Sequence, residues 1–455
     1  MYIYLSCNID LSLSFILKET SMSENNKKTE YQLQSLKSGA LFEDTYWMLD
    51  PVGESTPTHI RAIYAKKQLT VGRDSEGLYK FADWLPIIRR LKGSASPVTY
   101  KSSKLAAKLG LKNLWVTFSG YYPEIGAKIR TCSFKETEAY AVCGRMRDDE
   151  KRVLVVASAG NTARAFAQVC SDNHIPLLLS VPEDNISALY FDAPLNDCVK
   201  LVVAKTGGDY YDAIHISNVV IKDKNFFAEG GSKNVARRDG MATTVLSAVT
   251  TIGTIPDYYF QAVGSGTGAI AAWEANMRFI EDGRYGNNMM KLMVSQNAPF
   301  LPMFDAWKAN SRTILPLNDD EARHQVEIID AKVLSNRKPP YSIVGGLFDA
   351  LKESNGDVLS VTNDELRSAA KLFEELEGID INPAAAVAVA SLINAVNDGT
   401  VKANSLIMLN ITGGGEERYK QEREVHYLKP HKVFELDASE DFILAEVNSL
   451  FGFQK

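Results

Sequence analysis

Short, continuous apolar runs alternate with stretches of helical periodicity along most of this chain. The runs at 153–157, 176–181, 201–204 and 258–263 contain few polar residues, and helical spacing separates most of them. Continuous rather than alternating apolar strands, with helices between them, indicate parallel strands that are buried on both faces. The pattern therefore predicts an α/β protein with open, doubly wound parallel sheets.

Three loops rich in glycine and hydroxyl residues follow predicted strands, at 158–162, 264–268 and 412–415. In open α/β sheets, ligands bind beyond the carboxyl ends of the strands. A fourth stretch, 131–137, carries Lys135 immediately before a helix that is predicted at about 136–147. We expect these four stretches to form one site.

Lys135 is the residue around which this site is organised. Its amine is placed to react at a strand-to-helix junction, although the same heptapeptide also suits a solvated lysine at a helix start. Asn161, in the loop 158–162, has an amide that can contact a ligand ring, and it equally suits a helix cap. Either residue alone leaves both interpretations open.

The loop 264–268 follows a strand and precedes a helix, as phosphate-binding loops do. Its residues are Gly264, Ser265, Gly266, Thr267 and Gly268. The spacing of Gly264 and Gly266 also fits a dinucleotide fingerprint, in which backbone amides hold a pyrophosphate. That fingerprint needs an acidic residue near the end of the next strand, which here reads 295–297 without an acid. A single phosphate, with two hydroxyl donors, fits better.

Pyridoxal phosphate bound to a lysine needs the lysine itself, an amide beside its ring and a loop for its phosphate. Lys135, Asn161 and the loop 264–268 can provide these three groups. Thr412 adds a hydroxyl that, facing a pyridine nitrogen, leaves this nitrogen largely unprotonated and so weakens the electron sink. A weaker sink favours elimination and replacement over transamination. A glycine-rich turn without a ligand is the alternative for 412–415.

Composition narrows the function classes. The 455 residues are 45% apolar, and the formal charge of -6 with a pI near 5.7 argues against general nucleic-acid binding. Five cysteines at irregular spacings suit a reducing cytoplasm, and neither they nor the six histidines show metal-ligand spacing. The short apolar patch 11–17 has no flanking basic residue or cleavage site, so we expect residues 1–29 to be a loose extension and no membrane span.

In this order, Lys135, Asn161, the loop 264–268 and Thr412 resemble the tryptophan-synthase-β group (fold type II) of pyridoxal-phosphate enzymes, most closely its threonine synthase branch. The resemblance covers about 77–416. Stretches that add to it are 77–80, 96–98, 234–240 and 377–386. It implies that Lys135 is catalytic and that Lys135, Asn161, Gly264, Ser265, Gly266, Thr267, Gly268 and Thr412 bind the cofactor.

Two departures from threonine synthases concern the substrate side. The usual Gly-Ser-Phe-Lys-Asp-Arg is here 132–137, Cys-Ser-Phe-Lys-Glu-Thr, and the usual Thr-Gly-His-Gly is Thr412-Gly413-Gly414-Gly415. These departures are similar to the cysteate synthase family of methanogens. That resemblance implies β-replacement of the phosphate of O-phospho-L-serine by sulfite, through an aminoacrylate, to give L-cysteate on the way to coenzyme M.

Phosphoserine and sulfite are both anions, so the site needs local positive charge in an acidic protein. Five basic residues are candidates for binding them: Lys101, Lys104, Lys128, Arg130 and Arg164, with the pair Arg237-Arg238 behind them. Threonine synthase, acting on O-phosphohomoserine, remains an alternative, and so does a non-catalytic protein that binds nucleotide or cofactor.

The predicted division has a large cofactor-binding domain, 30–135 with 255–455, and a smaller α/β domain, 136–254, that carries the Asn161 loop. We expect a cytoplasmic homo-oligomer that acts on small molecules, without nucleic-acid or membrane partners.

Overall fold

The computed structural model describes residues 28–73, 77–158, 160–208 and 210–453. Most of the expected N-terminal extension, and Ala159 in the Asn161 loop, lie outside the described residues. Thr29, at the start, is already tied to the protein, because its amide donates to the Ile87 carbonyl over 3.0 Å.

Within these described residues, the strands form two large sheets and three small ones. In chain order they are β1 (Tyr31–Ser35), β2 (Leu41–Phe42), β3 (Ile60–Tyr64), β4 (Val98–Lys101), β5 (Asn113–Phe118), β6 (Tyr121–Tyr122), β7 (Ala127–Lys128), β8 (Val153–Ala157), β9 (Leu177–Pro182), β10 (Tyr190–Phe191), β11 (Val199–Ala204), β12 (Phe226–Ala228), β13 (Tyr258–Ala262), β14 (Lys291–Asn297), β15 (Asp357–Val361), β16 (Leu406–Ile411), β17 (His426–Tyr427) and β18 (Lys432–Phe434).

The helices lie between some of these strands. They are α1 (Lys104–Lys108), α2 (Lys135–Arg145), α3 (Asn161–Asp172), α4 (Tyr210–Val220), α5 (Val235–Ile252), α6 (Thr267–Asp282), α7 (Pro302–Lys308), α8 (Asp319–Ile328), α9 (Leu347–Glu353), α10 (Asn363–Glu377), α11 (Pro383–Asn397), α12 (Glu416–Glu422) and α13 (Glu440–Leu450). Among the strands of the two large sheets, α3 lies between β8 and β9, and α6 between β13 and β14, as the apolar pattern predicts.

The larger sheet has six strands in the order β15-β14-β13-β16-β5-β4, and the smaller has five in the order β12-β8-β9-β11-β18. Every neighbouring pair is parallel except β4 with β5, an antiparallel edge pair of the larger sheet. The predicted α/β class with two open, doubly wound parallel sheets is confirmed.

The continuous apolar runs are explained by the two cores that cover opposite faces of each sheet. In β8, Leu154 and Val156 join one core, whereas Val153 and Val155 join another. Successive side chains of a strand point to opposite faces, so a strand covered on both sides needs apolar residues at every position.

One strand crosses the predicted division between the domains. β18 pairs in parallel with β11 of the smaller sheet, with Val202 opposite Lys432. In α13, Ile443 and Val447 pack into the core on one face of this sheet. The C-terminal segment, which the sequence placed with 255–455, therefore lies on the smaller sheet, while the division as a whole stays a prediction.

Candidate functional site

The two sheets present their loops to one cleft. The cleft is lined by residues from all four stretches that the sequence singles out, among them Lys135, Asn161, the loop 264–268 and Thr412. Loop 158–162 follows β8 of the smaller sheet, whereas 264–268 and 412–415 follow β13 and β16 of the larger sheet. The topology therefore brings the carboxyl ends of both sheets to a single site, as doubly wound folds do.

Lys135 is the first residue of α2, and its side chain is only 18% exposed. Its Nζ donates to Glu138 Oε2 over 3.1 Å and lies 4.9 Å from the centre of the Phe134 ring. Burial lowers the pKa of the Lys135 amine; Glu138 counteracts this and Arg237 adds to it. A lowered pKa enlarges the neutral fraction of the amine, which is the nucleophilic form.

Backbone hydrogen bonds hold the Lys135 loop against the Thr412 loop. The Phe134 amide donates to the Thr412 carbonyl over 2.9 Å, and the Gly414 amide donates to the Cys132 carbonyl over 3.0 Å. Ser133 and Gly413 form an antiparallel bridge between them. Two segments that are far apart in sequence are thus fixed edge to edge, so the position of Lys135 depends on both.

This close approach explains the run of glycines after Thr412. A Cβ on Gly413 would lie 2.1 Å from Asn382 Nδ2, and one on Gly414 would lie 2.4 Å from the Asp380 carbonyl oxygen. Gly415 has a φ of +75°, and its Cβ would lie 1.8 Å from the Tyr121 carbonyl oxygen. The histidine that threonine synthases carry at the position of Gly414 therefore has no room in this packing.

The loop 264–268 forms a cradle at the start of α6. Gly266 caps this helix with a φ of +79°, and Ser265 Oγ lies 2.9 Å from Thr267 Oγ1. A Cβ on Gly264 would lie 2.9 Å from the Val333 carbonyl oxygen, and one on Gly268 would lie 2.6 Å from Gln261 Nε2. The Thr267 amide donates to Ser265 Oγ over 3.3 Å and the Ala269 amide donates to the Gly266 carbonyl over 3.0 Å. The remaining amides and the hydroxyls of this glycine-lined turn are donors that a phosphate can use.

The dinucleotide alternative finds no acid at the required place. Strand β14, which follows α6, ends at Asn297. Asp282, at the end of α6, accepts hydrogen bonds from the Leu69 amide and from Arg284, so its carboxylate is engaged away from the cleft lining. The geometry favours a single phosphate in the cradle.

Asn161 and Thr412 provide the remaining polar groups. Asn161 is the first residue of α3, and the capping position is Gly160, where no side-chain cap hydrogen bond is made. Asn161 therefore follows the capping position and does not occupy it, and the residue lines the cleft. Thr412 is buried and lines the same cleft, although its carbonyl is used by the Phe134 amide.

Arg237 is the arginine in the cleft lining, and the sequence ranked it behind five other residues. Its guanidinium lies 2.6 Å from Glu229 Oε2 and 2.9 Å from Glu138 Oε1. Its neighbour Arg238 is fully buried and pairs with Glu274 instead. Adjacent arginines on one helix point in different directions, so the sequence could not tell which of the two reaches the site.

The five basic residues that the sequence ranked first lie outside the cleft lining. Three of them are exposed and lie at the end of a strand or helix: Lys101, Lys104 and Lys128. Arg130 pairs with Asp172, and Arg164 is buried and donates to the carbonyls of Tyr190, Thr131 and Arg130. The substrate-binding role of these five residues stays a prediction, and their position outside the cleft lining does not support it.

The described ranges of the chain contain no group of three or more His, Cys, Asp or Glu residues placed to hold a metal ion. They also contain no helix with the length and apolarity that crossing a membrane requires.

The residues present fit pyridoxal phosphate. The cradle leaves no space for Cβ atoms where a phosphate needs backbone donors. A buried amine with a lowered pKa, an amide outside the helix-cap role and a buried hydroxyl line the same cleft. These are the groups for the carbonyl, ring and phosphate of that cofactor.

Known proteins agree with this assignment. The sequence model of the family "Pyridoxal-phosphate dependent enzyme" matches residues 97–413. Cysteate synthase from Methanocorpusculum labreanum is 46% identical over 400 residues, which are 87% of this chain and 95% of that protein. Cysteate synthase from Methanosarcina barkeri is 44% identical over 401 residues, 88% of this chain and 95% of that protein.

Solved structures show the same fold at low identity. Maize serine racemase superposes with a TM-score of 0.54 at 14% identity, covering 72% of this chain and 91% of its own. Threonine deaminase isoform 2 from Solanum lycopersicum superposes with a TM-score of 0.52 at 16% identity, and the match covers 72% of this chain and 86% of that one. These two establish the fold alone, whereas the family model and the cysteate synthases establish descent. The chain therefore belongs to the pyridoxal-phosphate dependent enzyme family and, within it, to the cysteate synthase family.

Proposed function

We propose that this protein makes L-cysteate and phosphate from O-phospho-L-serine and sulfite, with pyridoxal phosphate as its cofactor. In the overall reaction a carbon–oxygen bond to phosphate breaks and a carbon–sulfur bond to sulfite forms at the same β-carbon. The observation that carries the proposal is the cleft itself, where Arg237 lies with Lys135, Asn161, Thr412 and the glycine cradle. The cysteate synthases that are similar over most of this chain support it.

The chain offers one group for each part of the cofactor. Lys135 Nζ would hold its carbonyl carbon, the amides and hydroxyls of 264–268 its phosphate, Asn161 its ring oxygen and Thr412 its ring nitrogen. When bound, pyridoxal phosphate stabilises negative charge at the α-carbon of an amino acid. A threonine hydroxyl, unlike a carboxylate, does not keep the ring nitrogen protonated, which suits β-replacement.

Lys135 also has the properties of the group that moves the α-proton. Burial favours its neutral amine, which accepts a proton, and Glu138 at 3.1 Å stabilises the ammonium that results. An amine tuned in this way removes the α-proton before phosphate leaves, and returns it after sulfite has added.

Arg237 supplies positive charge for the anionic groups of the substrates. Phosphoserine and sulfite both need a desolvated cation or backbone donors, because the protein as a whole is acidic. The side chain is 14% exposed and two carboxylates hold its guanidinium, so its direction is fixed, and the residue lines the cleft. We assign the substrate phosphate and the incoming sulfite to this residue.

Arg237→Gln is expected to lower kcat/KM for phosphoserine by about 10- to 100-fold, since a hydrogen bond to a charged group contributes about 1.5–3 kcal/mol. Arg237→Gln leaves Glu229 buried without a cation, so its folding is checked by circular dichroism. In the folded variant the loss should appear mainly in KM, and Arg237→Lys, which keeps a cation beside Glu229, should recover part of it. Matched Arg130→Gln and Lys128→Gln variants, which alter exposed or half-buried residues outside the cleft lining, should keep near-native kinetics. Normal KM in Arg237→Gln with a large loss in Arg130→Gln would instead support the sequence-based candidates.

Product analysis tests the function directly. The purified holoprotein is incubated with phosphoserine plus sulfite in one tube and with phosphohomoserine in another, and amino acids and phosphate are quantified. Cysteate and phosphate in equal amounts from the first tube alone are the expected result. Threonine from the second tube alone would show that the altered motifs around Lys135 and Thr412 belong to a threonine synthase.

Three aspects of the cellular role belong to the same proposal. We place the enzyme in the cytoplasm, as a homo-oligomer, on a route to coenzyme M. The cysteine usage suits a reducing compartment. Light scattering of the purified protein measures the oligomeric state, and a monomer would remove that part.

A further inference from the structure

Glu138 has an unusual position between the two cations of the cleft. It lies one helical turn after Lys135, and its side chain is fully buried. Its Oε2 accepts from Lys135 Nζ over 3.1 Å, while its Oε1 lies 2.9 Å from Arg237 Nη2. One carboxylate therefore contacts both the reactive amine and the guanidinium that lines the cleft.

We propose that Glu138 is a positioning residue, which fixes the Lys135 amine relative to Arg237 and sets the proton affinity of that amine. This inference rests on the proposed function only in taking Lys135 as the lysine that captures the cofactor. It concerns a residue that follows the lysine by three positions, outside the set assigned to cofactor or substrate.

Glu138 and Glu229 together balance the charges of Lys135 and Arg237. Arg237 is held on its other side by Glu229, at 2.6 Å, and Tyr210 from the start of α4 lines the same cleft. Two buried carboxylates thus face two cations. When the amine gives up its charge to bind a carbonyl, Glu138 keeps Arg237 as a partner, so no buried carboxylate is left without a cation.

Burial alone would push the amine far towards its neutral form, because a charged group is costly away from water. An opposite charge at hydrogen-bond distance works against that tendency. Glu138 thereby keeps the amine able both to accept and to return a proton. Its removal should favour the neutral amine at lower pH.

Glu136 provides a matched control. It is also buried in the first turn of α2, but its Oε2 accepts from the Thr131 amide over 2.8 Å and it makes no ion pair with Lys135 or Arg237 in the described chain. Glu136→Gln and Glu138→Gln replace a carboxyl group by an amide in the same turn without changing side-chain size. Only the second removes the contact with the amine.

The experiment follows capture of the cofactor by the apoprotein. Apoprotein is mixed with pyridoxal phosphate across a pH series, and the rate at which the visible absorption band appears is plotted against pH. The midpoint reports the proton affinity of the amine. We expect it to fall by about one pH unit or more in Glu138→Gln, because an opposite charge at this distance shifts a pKa by about 1–3 units. Glu136→Gln should keep the midpoint of the unsubstituted protein.

Equal midpoints in Glu138→Gln and the unsubstituted protein, or an equal shift in Glu136→Gln, would overturn the proposal. If Glu138→Gln does not fold by circular dichroism, Glu138→Asp takes its place. It draws the same charge back by one methylene group, and a rate and midpoint identical to the unsubstituted protein would again contradict the inference. A band that fails to appear even in the unsubstituted protein would overturn the cofactor role of Lys135 and both proposals together.

Discussion

Lys135→Ala is expected to lose the visible absorption band of the holoprotein and to form cysteate at least about 1000-fold more slowly. Lys135 carries the buried amine of the cleft. General acid–base catalysis by a positioned group raises a rate by about 10²- to 10⁴-fold, and the loss of cofactor attachment adds to this effect. Absorbance spectra recorded after dialysis, and initial rates recorded with saturating pyridoxal phosphate, measure the two effects separately.

Lys128→Ala is the matched control, because Lys128 is an exposed lysine on β7 that lies outside the cleft lining. It should keep both absorbance and rate. Phosphate binding in the cradle does not need the amine, so Lys135→Ala should still bind the cofactor reversibly. If Lys135→Ala keeps the band through dialysis and turns over normally, another residue holds the cofactor and the assignment of the site is wrong.

The sheets were predictable from the sequence because burial on both faces leaves a local signature. Runs such as 153–157 are apolar at every position since adjacent residues enter different cores. The helix predicted at 136–147 occurs at Lys135–Arg145, and the strand predicted at 258–263 occurs at Tyr258–Ala262. Where a pattern is set by neighbours within a few residues, its reading needs no tertiary information.

The parts that depend on distant segments could not be predicted in this way. β18 pairs with β11, more than 200 positions earlier, and nothing local in three residues indicates that partner. Arg237 differs from Arg130 by what surrounds it: carboxylates beside a cleft in one case, and Asp172 away from it in the other. Charge alone cannot rank such residues, because the fold decides which guanidinium faces the ligand.

The glycines show both situations within one site. The loop 264–268 is recognisable because a phosphate cradle needs small residues in a fixed order between strand and helix. Nothing in the sequence, by contrast, explains why residue 414 is a glycine. The structure explains it: a Cβ would lie 2.4 Å from the Asp380 carbonyl oxygen, and this loop pairs with the residues before Lys135. A departure from a family motif can therefore result from packing as well as from a change in chemistry.

Ser265→Asp is expected to weaken binding of pyridoxal phosphate about 100-fold while leaving the apoprotein as stable as before. A carboxylate in the cradle would repel the phosphate: two unit charges about 4 Å apart interact by about 4 kcal/mol at an effective dielectric of about 20, and partial exposure reduces this to about 2–3 kcal/mol. The same carboxylate at the start of α6 interacts favourably with the helix dipole, by about 0.3–1 kcal/mol. Titration of the apoprotein with cofactor and its Tm measure these opposite effects.

Ser265→Asn separates charge from shape in this prediction. Asparagine has nearly the size of aspartate and keeps hydrogen-bond donors at the cradle, so its affinity for the cofactor should stay within about tenfold of the unsubstituted protein. If both variants lose affinity equally, the cradle responds to side-chain size and repulsion of a phosphate is not the cause. If Ser265→Asp binds as tightly as serine while Lys135→Ala loses the band, the phosphate lies elsewhere in the cleft. A loss confined to the aspartate, in a protein whose Tm has not fallen, places the phosphate at the start of α6, where the glycine spacing in the sequence first indicated it.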